Sequence, residues 1–104
     1  MRKIIISDTS CLIILSKIGE LEILKKLYQT IITTSEIANE FGEELPIWIE
    51  ILKVKDISKQ QLLELQIDKG ESSAIALALE IPHSKIILDD NKARKIANQL
   101  GVDF

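Results

Sequence analysis

With 104 residues, 46% hydrophobic and 28% charged, the chain has material for one soluble domain with a real core and is not a disordered tail. Thirteen basic against 16 acidic residues give a net charge of -3, which excludes global attraction to nucleic acid, so binding a phosphate backbone would need a local basic patch or a metal ion. Aromatics at 4% argue against base-stacking platforms, and the single cysteine, Cys11, excludes an internal disulfide framework and a cysteine-built zinc site.

The chain opens on a short β-branched run, a strand from about Lys3 to Ser7, followed at once by Asp8. A helix is expected from about Ser10 to Ile18, stopped by Gly19. Cys11 lies inside its apolar stretch and reads as a buried packing residue. A second helix should run from about Glu20 to Tyr28, with Leu21, Leu24, Leu27 and Tyr28 as its apolar stripe. Thr30 to Thr33 is β-branched throughout and predicts a strand. Thr34 or Ser35 can then cap a helix carrying Glu36, Ile37, Glu40 and Phe41.

Between Leu45 and Lys59 two patterns compete: Ile47, Ile49 and Ile51 alternate as in a strand, while Pro46 suits a helix start. We read a short helix over about Pro46 to Leu52 and a strand over about Val54 to Ile57. Ser58 begins a helix that ends before Gly70, and a further helix, rich in alanine and leucine, opens at Glu71 and runs through Glu80. Pro82 and His83 turn the chain into a second acid-tipped strand, Lys85 to Leu88, followed by Asp89 and Asp90. Asn91 to Leu100 predicts a final helix, stopped by Gly101. Alternating strands and helices, with no repeat or linker, specify one α/β domain over residues 1–104 with a parallel sheet.

Two strands tipped with acids matter because open α/β sheets gather their chemistry beyond the carboxyl ends of the strands. The acids to weigh are Asp8, Glu36, Glu40, Glu71, Asp89 and Asp90. Any one could be a solvated charge or a helix-start acid; their joint placement favours a shared crevice. Crowded carboxylates repel by on the order of 4 kcal/mol per close pair, unless protonated or bridged by a cation. All-oxygen ligands favour Mg²⁺ or Mn²⁺, ions suited to phosphoester hydrolysis. Glycine loops for nucleotides are absent, since the chain has only Gly19, Gly42, Gly70 and Gly101. Ser10, Ser72 and Ser73 have no placed histidine partner, because His83 lies before the second acid-tipped strand, in a turn. The second aspartate that a haloacid-dehalogenase-type phosphatase needs is replaced by Ser10.

The stretch Ile6-Ser7-Asp8-Thr9-Ser10, with Leu12 to Gly19 behind it, resembles the start of PIN-domain proteins, in the branch related to VapC-type toxin endoribonucleases. Ser35 to Phe41, Asp68 to Ala78 and Leu88 to Arg94 agree with the same family in order and spacing. The resemblance implies a three-layer α/β/α sandwich and Mg²⁺- or Mn²⁺-dependent cleavage of RNA. Its four acids map onto Asp8, Glu40, Glu71 and Asp90, with Glu36 as the alternative second and Asp89 as the alternative fourth. Asp8 and Asp90 would ligate the ion directly. Thr9 or Ser10 matches the family's hydroxyl near the metal. In a ribonuclease Lys92 and Arg94 would meet backbone phosphates, the alternative for each being a solvated helix charge. The resemblance also implies a cognate antitoxin. The longest apolar stretches are broken by Asp8, Ser16 or Lys17 before membrane-spanning length and no signal peptide is read ahead of the first strand, so a cytoplasmic setting with no membrane partner is expected.

Relatives in that branch continue into another strand and helix where this chain reaches Val102-Asp103-Phe104. A missing strand would leave the sheet edge beside Ile86-Ile87-Leu88 unpaired and uncover Ile96, Ala97 and Leu100. A homodimer is therefore expected. The alternative to a ribonuclease is a catalytically inactive, truncated PIN-like module for binding or assembly.

Overall fold

The computed structural model describes residues 4–104. Lys3, at the start of the predicted first strand, lies outside the described residues. In chain order the elements are β1 (Ile4–Ser7), α1 (Thr9–Lys17), α2 (Glu22–Leu27), β2 (Thr30–Thr34) and α3 (Ser35–Phe41). They continue with β3 (Ile49–Leu52), α4 (Ile57–Leu63), α5 (Lys69–Glu80), β4 (Ser84–Ile87) and α6 (Asn91–Gln99). The sheet has four strands in the order β3-β2-β1-β4, and every pairing is parallel.

Successive strand residues point to opposite faces. In β1 and β2 the residues after the first are all buried, so both faces of the central sheet are covered. That burial, with helices after every strand, agrees with the expected three-layer α/β/α sandwich. The core joins Ile5, Ile6, Ile31 and Ile32 from the strands to Leu12, Ile37 and Ile75 from the helices.

The centre of the packing is α5, where Gly70 and every residue from Ser72 to Ala78 are buried. It touches β1, β2, β4, α3, α4 and α6. Small side chains permit that close approach on all sides. Asp68 caps the helix by accepting from Glu71 N at 2.8 Å, while Glu71 reaches back to Asp68 N, a reciprocal capping box. The helix therefore begins two residues before the predicted Glu71.

The ambiguous segment resolves against the predicted order. Ile47 and Trp48 form a turn, closed by Ile49 N–H donating to Pro46 O at 3.0 Å, and Ile49–Leu52 is the strand β3, so alternation outweighs the proline signal. Ile49 enters the core beside Ile31, while Glu50 and Ile51 stay exposed on the edge strand. The predicted strand Val54 to Ile57 is not formed. Its backbone N–H groups at Lys55 and Asp56 bond instead to the Glu80 carboxylate, at 2.9–3.1 Å. Asp56 then caps α4 by accepting from Lys59 N at 3.1 Å, so the helix begins at Ile57, one residue before the predicted start, and it ends at Leu63, well short of Gly70. In α2 only Leu24 of the predicted stripe is fully buried, and Leu27 is exposed.

The edge beside β4 also departs from expectation. Lys85 bridges Asp103 in parallel, and Ile86 N–H donates to Asp103 O at 2.9 Å. Val102 and Ala97 are buried, though Leu100 remains exposed. The chain covers the first part of that edge itself. Among the described residues, no helix is long and apolar enough to cross a membrane.

Candidate active site

Parallel pairing of β1 with β4, Ser7 opposite Ile87, brings the two acid-tipped ends side by side. Asp8 is 4% exposed and caps α1: Cys11 N–H donates to its Oδ1 at 2.9 Å. Its other oxygen, Oδ2, accepts from Asp89 N–H at 3.0 Å, across 81 residues of sequence. Burial raises the carboxyl above its ordinary range and the nearby Asp89 charge adds to this, while the two backbone donors oppose it. Asp90 caps α6, accepting from Ala93 N–H at 2.9 Å. Both strand-end acids thus double as helix caps.

Glu71 sits in the first turn of α5, facing this crevice. Its carboxyl is pushed up to about 7, first by burial and then by the charges of Asp68, Asp90 and Asp8. Glu40 lies over the start of the same helix. A Cβ built on Gly70 would overlap the Glu40 carboxylate and stand 3.4 Å from Thr9 Oγ1. Glycine at 70 is what lets the Glu40 carboxylate and Thr9 close over the helix. Burial and Asp68 raise the Glu40 carboxyl, and a hydrogen bond from Thr9 opposes them.

A buried hydroxyl relay fixes α5 to the strand ends. Ile37 N–H donates to Thr34 Oγ1 (3.1 Å), and Thr34 Oγ1 lies 2.7 Å from Ser73 Oγ. Ser73 donates onward to Gly70 O at 2.7 Å, which makes Thr34 the donor in the middle bond. Every hydroxyl in the relay is satisfied, so the first turn of α5 is held to the carboxyl end of β2.

The structure therefore sets Glu71 in the field of Asp68, Asp90 and Asp8, and Asp8 in that of Asp89, while Glu40, exposed beside Thr9 and Gly70, feels Asp68. Glu36, the alternative second acid, does not join them. Its Oε2 accepts from Gln60 Nε2 at 2.8 Å, on the side where α4 packs. Ser10 is exposed in the first turn of α1, and Lys92 is exposed at the start of α6. Cys11 is half-buried beside Asp8, not fully buried as expected, and burial raises its thiol, which disfavours a reactive thiolate. Two contributors escaped the sequence reading. Asp68 acts on both Glu71 and Glu40, and its spacing ahead of Glu71 is that of a capping box. The Thr34–Ser73 relay carries no local signal beyond two hydroxyl residues.

As placed, no three acidic side chains among the described residues converge on one point closely enough to ligate an ion together. The donor set is nonetheless all oxygen, and of the causes that raise Glu71, burial first and then its acidic neighbours, the second is one that a hard divalent cation would offset. The residues fit such an ion in chemistry.

No curated protein and no solved structure gave a significant match. A family model, DUF3368, described as a PIN domain, matches residues 4–104. That span contains every element that supplies an acid to the crevice, and the parallel sheet beneath them is the one the resemblance implied. The chain belongs to the PIN-domain family, whose fold is in general of the nuclease type.

Proposed function

We propose that this chain is a metal-dependent endoribonuclease, the toxin half of a toxin–antitoxin pair acting in the cytoplasm. One observation carries the reading: carboxylates from four separate segments, Asp8, Glu40, Glu71 and Asp90, are brought to the rim above the carboxyl ends of a parallel sheet. Asp8 and Asp90 would hold a Mg²⁺ or Mn²⁺ ion, with Asp89 the alternative to Asp90. The ion would supply positive charge to orient a water and to stabilise the oxygen leaving phosphorus.

The protein's own groups do the rest. Asp8 is oriented by the Cys11 and Asp89 N–H groups, one on each carboxylate oxygen. Glu71 keeps its proton up to about pH 7 in the free protein and would release it from its carboxyl as cation charge arrives. Glu40, steadied by Thr9 over Gly70, closes the other side of the crevice. An antitoxin and a homodimer belong to the same reading, the dimer joined through the part of the β4 edge beyond Asp103 and the exposed Leu100. Sedimentation equilibrium should give twice the mass of the 11.7 kDa chain, and a clean monomer would remove the dimer.

Purified protein incubated with a mixed RNA pool and Mn²⁺ should cleave it, and both EDTA and Asp8→Asn should abolish cleavage. Cleavage that persists in EDTA ends the metal reading. No cleavage at high protein concentration leaves an inactive PIN-like module for binding or assembly.

A further inference from the structure

Beside the acids lies a cation that the crevice itself does not use. A cleft of about 250 Å³ opens next to Asp8 and Asp89, walled by Cys11, Leu15 and Ile87 and closed on one side by Arg94. Arg94 is exposed, yet its guanidinium is not loose. Its Nε–H donates to Leu88 O at 2.7 Å, and its Cζ lies over the Phe104 ring, 5.8 Å from the centroid. Among the described residues it forms no ion pair, although two carboxylates share its cleft. One donor is engaged and Cζ lies within cation–π reach of a ring; among the described residues the two terminal nitrogens keep their donors free. An arginine fixed in that manner presents a planar fork at little further entropic cost, the geometry that a phosphate oxygen pair accepts.

Lys92, two residues earlier, has none of these restraints. It is an exposed first-turn residue of α6, and its side chain makes no hydrogen bond or ion pair among the described residues. The two cations, alike in the sequence, therefore differ in preorganisation.

We propose that Arg94 forms a phosphate subsite for single-stranded RNA, binding a backbone phosphate next to the one cleaved, with Leu88 O and Phe104 holding it in place. The proposal rests on the ribonuclease reading above and deepens it by naming where the substrate strand lies. The strand would run over the α1–β4 side of the crevice, past the cleft. Arg94 would offset part of the acids' repulsion there, which a chain of net charge -3 otherwise leaves uncompensated.

The test reads binding apart from cleavage. A short fluorescein-labelled single-stranded RNA is titrated with wild-type protein in EDTA, followed by anisotropy, over a range of salt. Arg94→Gln should weaken binding about fivefold to tenfold and reduce the slope of log affinity against log salt by about 0.7, one phosphate contact on a single strand. Phe104→Leu, which leaves the charge in place and removes the face it rests on, should weaken binding about twofold to fivefold. Circular dichroism melts confirm that each variant folds, and Phe104→Leu carries the test alone if Arg94→Gln does not. Wild-type binding with unchanged affinity and slope in the folded variants overturns the subsite while leaving the nuclease reading intact. A loss of cleavage rate at unchanged affinity also overturns it and makes Arg94 a positioning residue for the Leu88–Asp90 corner. A wild-type protein that neither binds nor cleaves RNA removes both readings.

Discussion

Replacing Glu71 by glutamine should make the protein more stable at neutral and alkaline pH while removing its activity. The carboxyl is held at about 7 against an ordinary 4.5, so between those values the folded chain binds a proton that the unfolded chain has lost. Stability then falls as pH rises through that window, and the penalty is complete once Glu71 is ionised in both states. At about 1.36 kcal/mol per tenfold change in acidity, the ceiling is about 3.4 kcal/mol. Glu71 is only partly buried, and solvent screening brings a realistic value to on the order of 1–2 kcal/mol. A favourable interaction of the charge with the start of α5, about 0.3–1 kcal/mol, acts in the opposite sense. Glutamine keeps the capping geometry with Asp68. The expected gain at pH 8 is a rise in Tm of about 4–8 °C, shrinking to nothing near pH 4.5. Thermal melts of both proteins across that range provide the check. A variant no more stable than wild type at pH 8, or one whose gain is the same at both ends, would refute the reasoning.

Three further outcomes follow from the same geometry. Gly70→Ala should cost at least about tenfold in cleavage by displacing the Glu40 carboxylate, while stability changes by less than about 1 kcal/mol because alanine favours the helix; wild-type rates would show that Glu40 is not needed there. Thr34→Val breaks the hydroxyl relay and should destabilise by about 1–3 kcal/mol in urea unfolding, since it leaves the Ile37 N–H without its acceptor; an unchanged midpoint would mean that water replaces the relay. Binding of Mg²⁺ near pH 6.5 should release protons, seen as a dependence of calorimetric heat on the buffer, and Glu71→Gln should reduce that release. Equal proton release from both proteins would place the ion away from Glu71.

The parts of the fold carried by dense local signals were legible. The β-branched runs ending at Asp8 and before Asp89 give β1 and β4, and the alanine-rich stretch after Gly70 gives α5. The segment 45–59 failed because its outcome is tertiary. Ile49–Leu52 is a strand only since β2 offers it a parallel partner, and Lys55 and Asp56 stay out of the sheet because Glu80, 24 and 25 residues away, takes their N–H groups. What separates Glu36 from Glu40 is likewise long-range: Gln60 engages the former, and Gly70 leaves room for the latter. The motif supplied the acids. Their restraints, from the Asp89 N–H on Asp8 to the Phe104 ring under Arg94, required the chain to be closed.

The strand order also sets a schedule for synthesis. β1, made first, lies between β2 and β4, so the strand bearing Asp8 waits for a neighbour translated some eighty residues later. Until Ser84–Asp90 has emerged, Asp8 lacks the Asp89 N–H on its Oδ2, and Glu71 lacks Asp90 across the crevice. A nascent chain with its first three strands paired would still have no assembled acid centre.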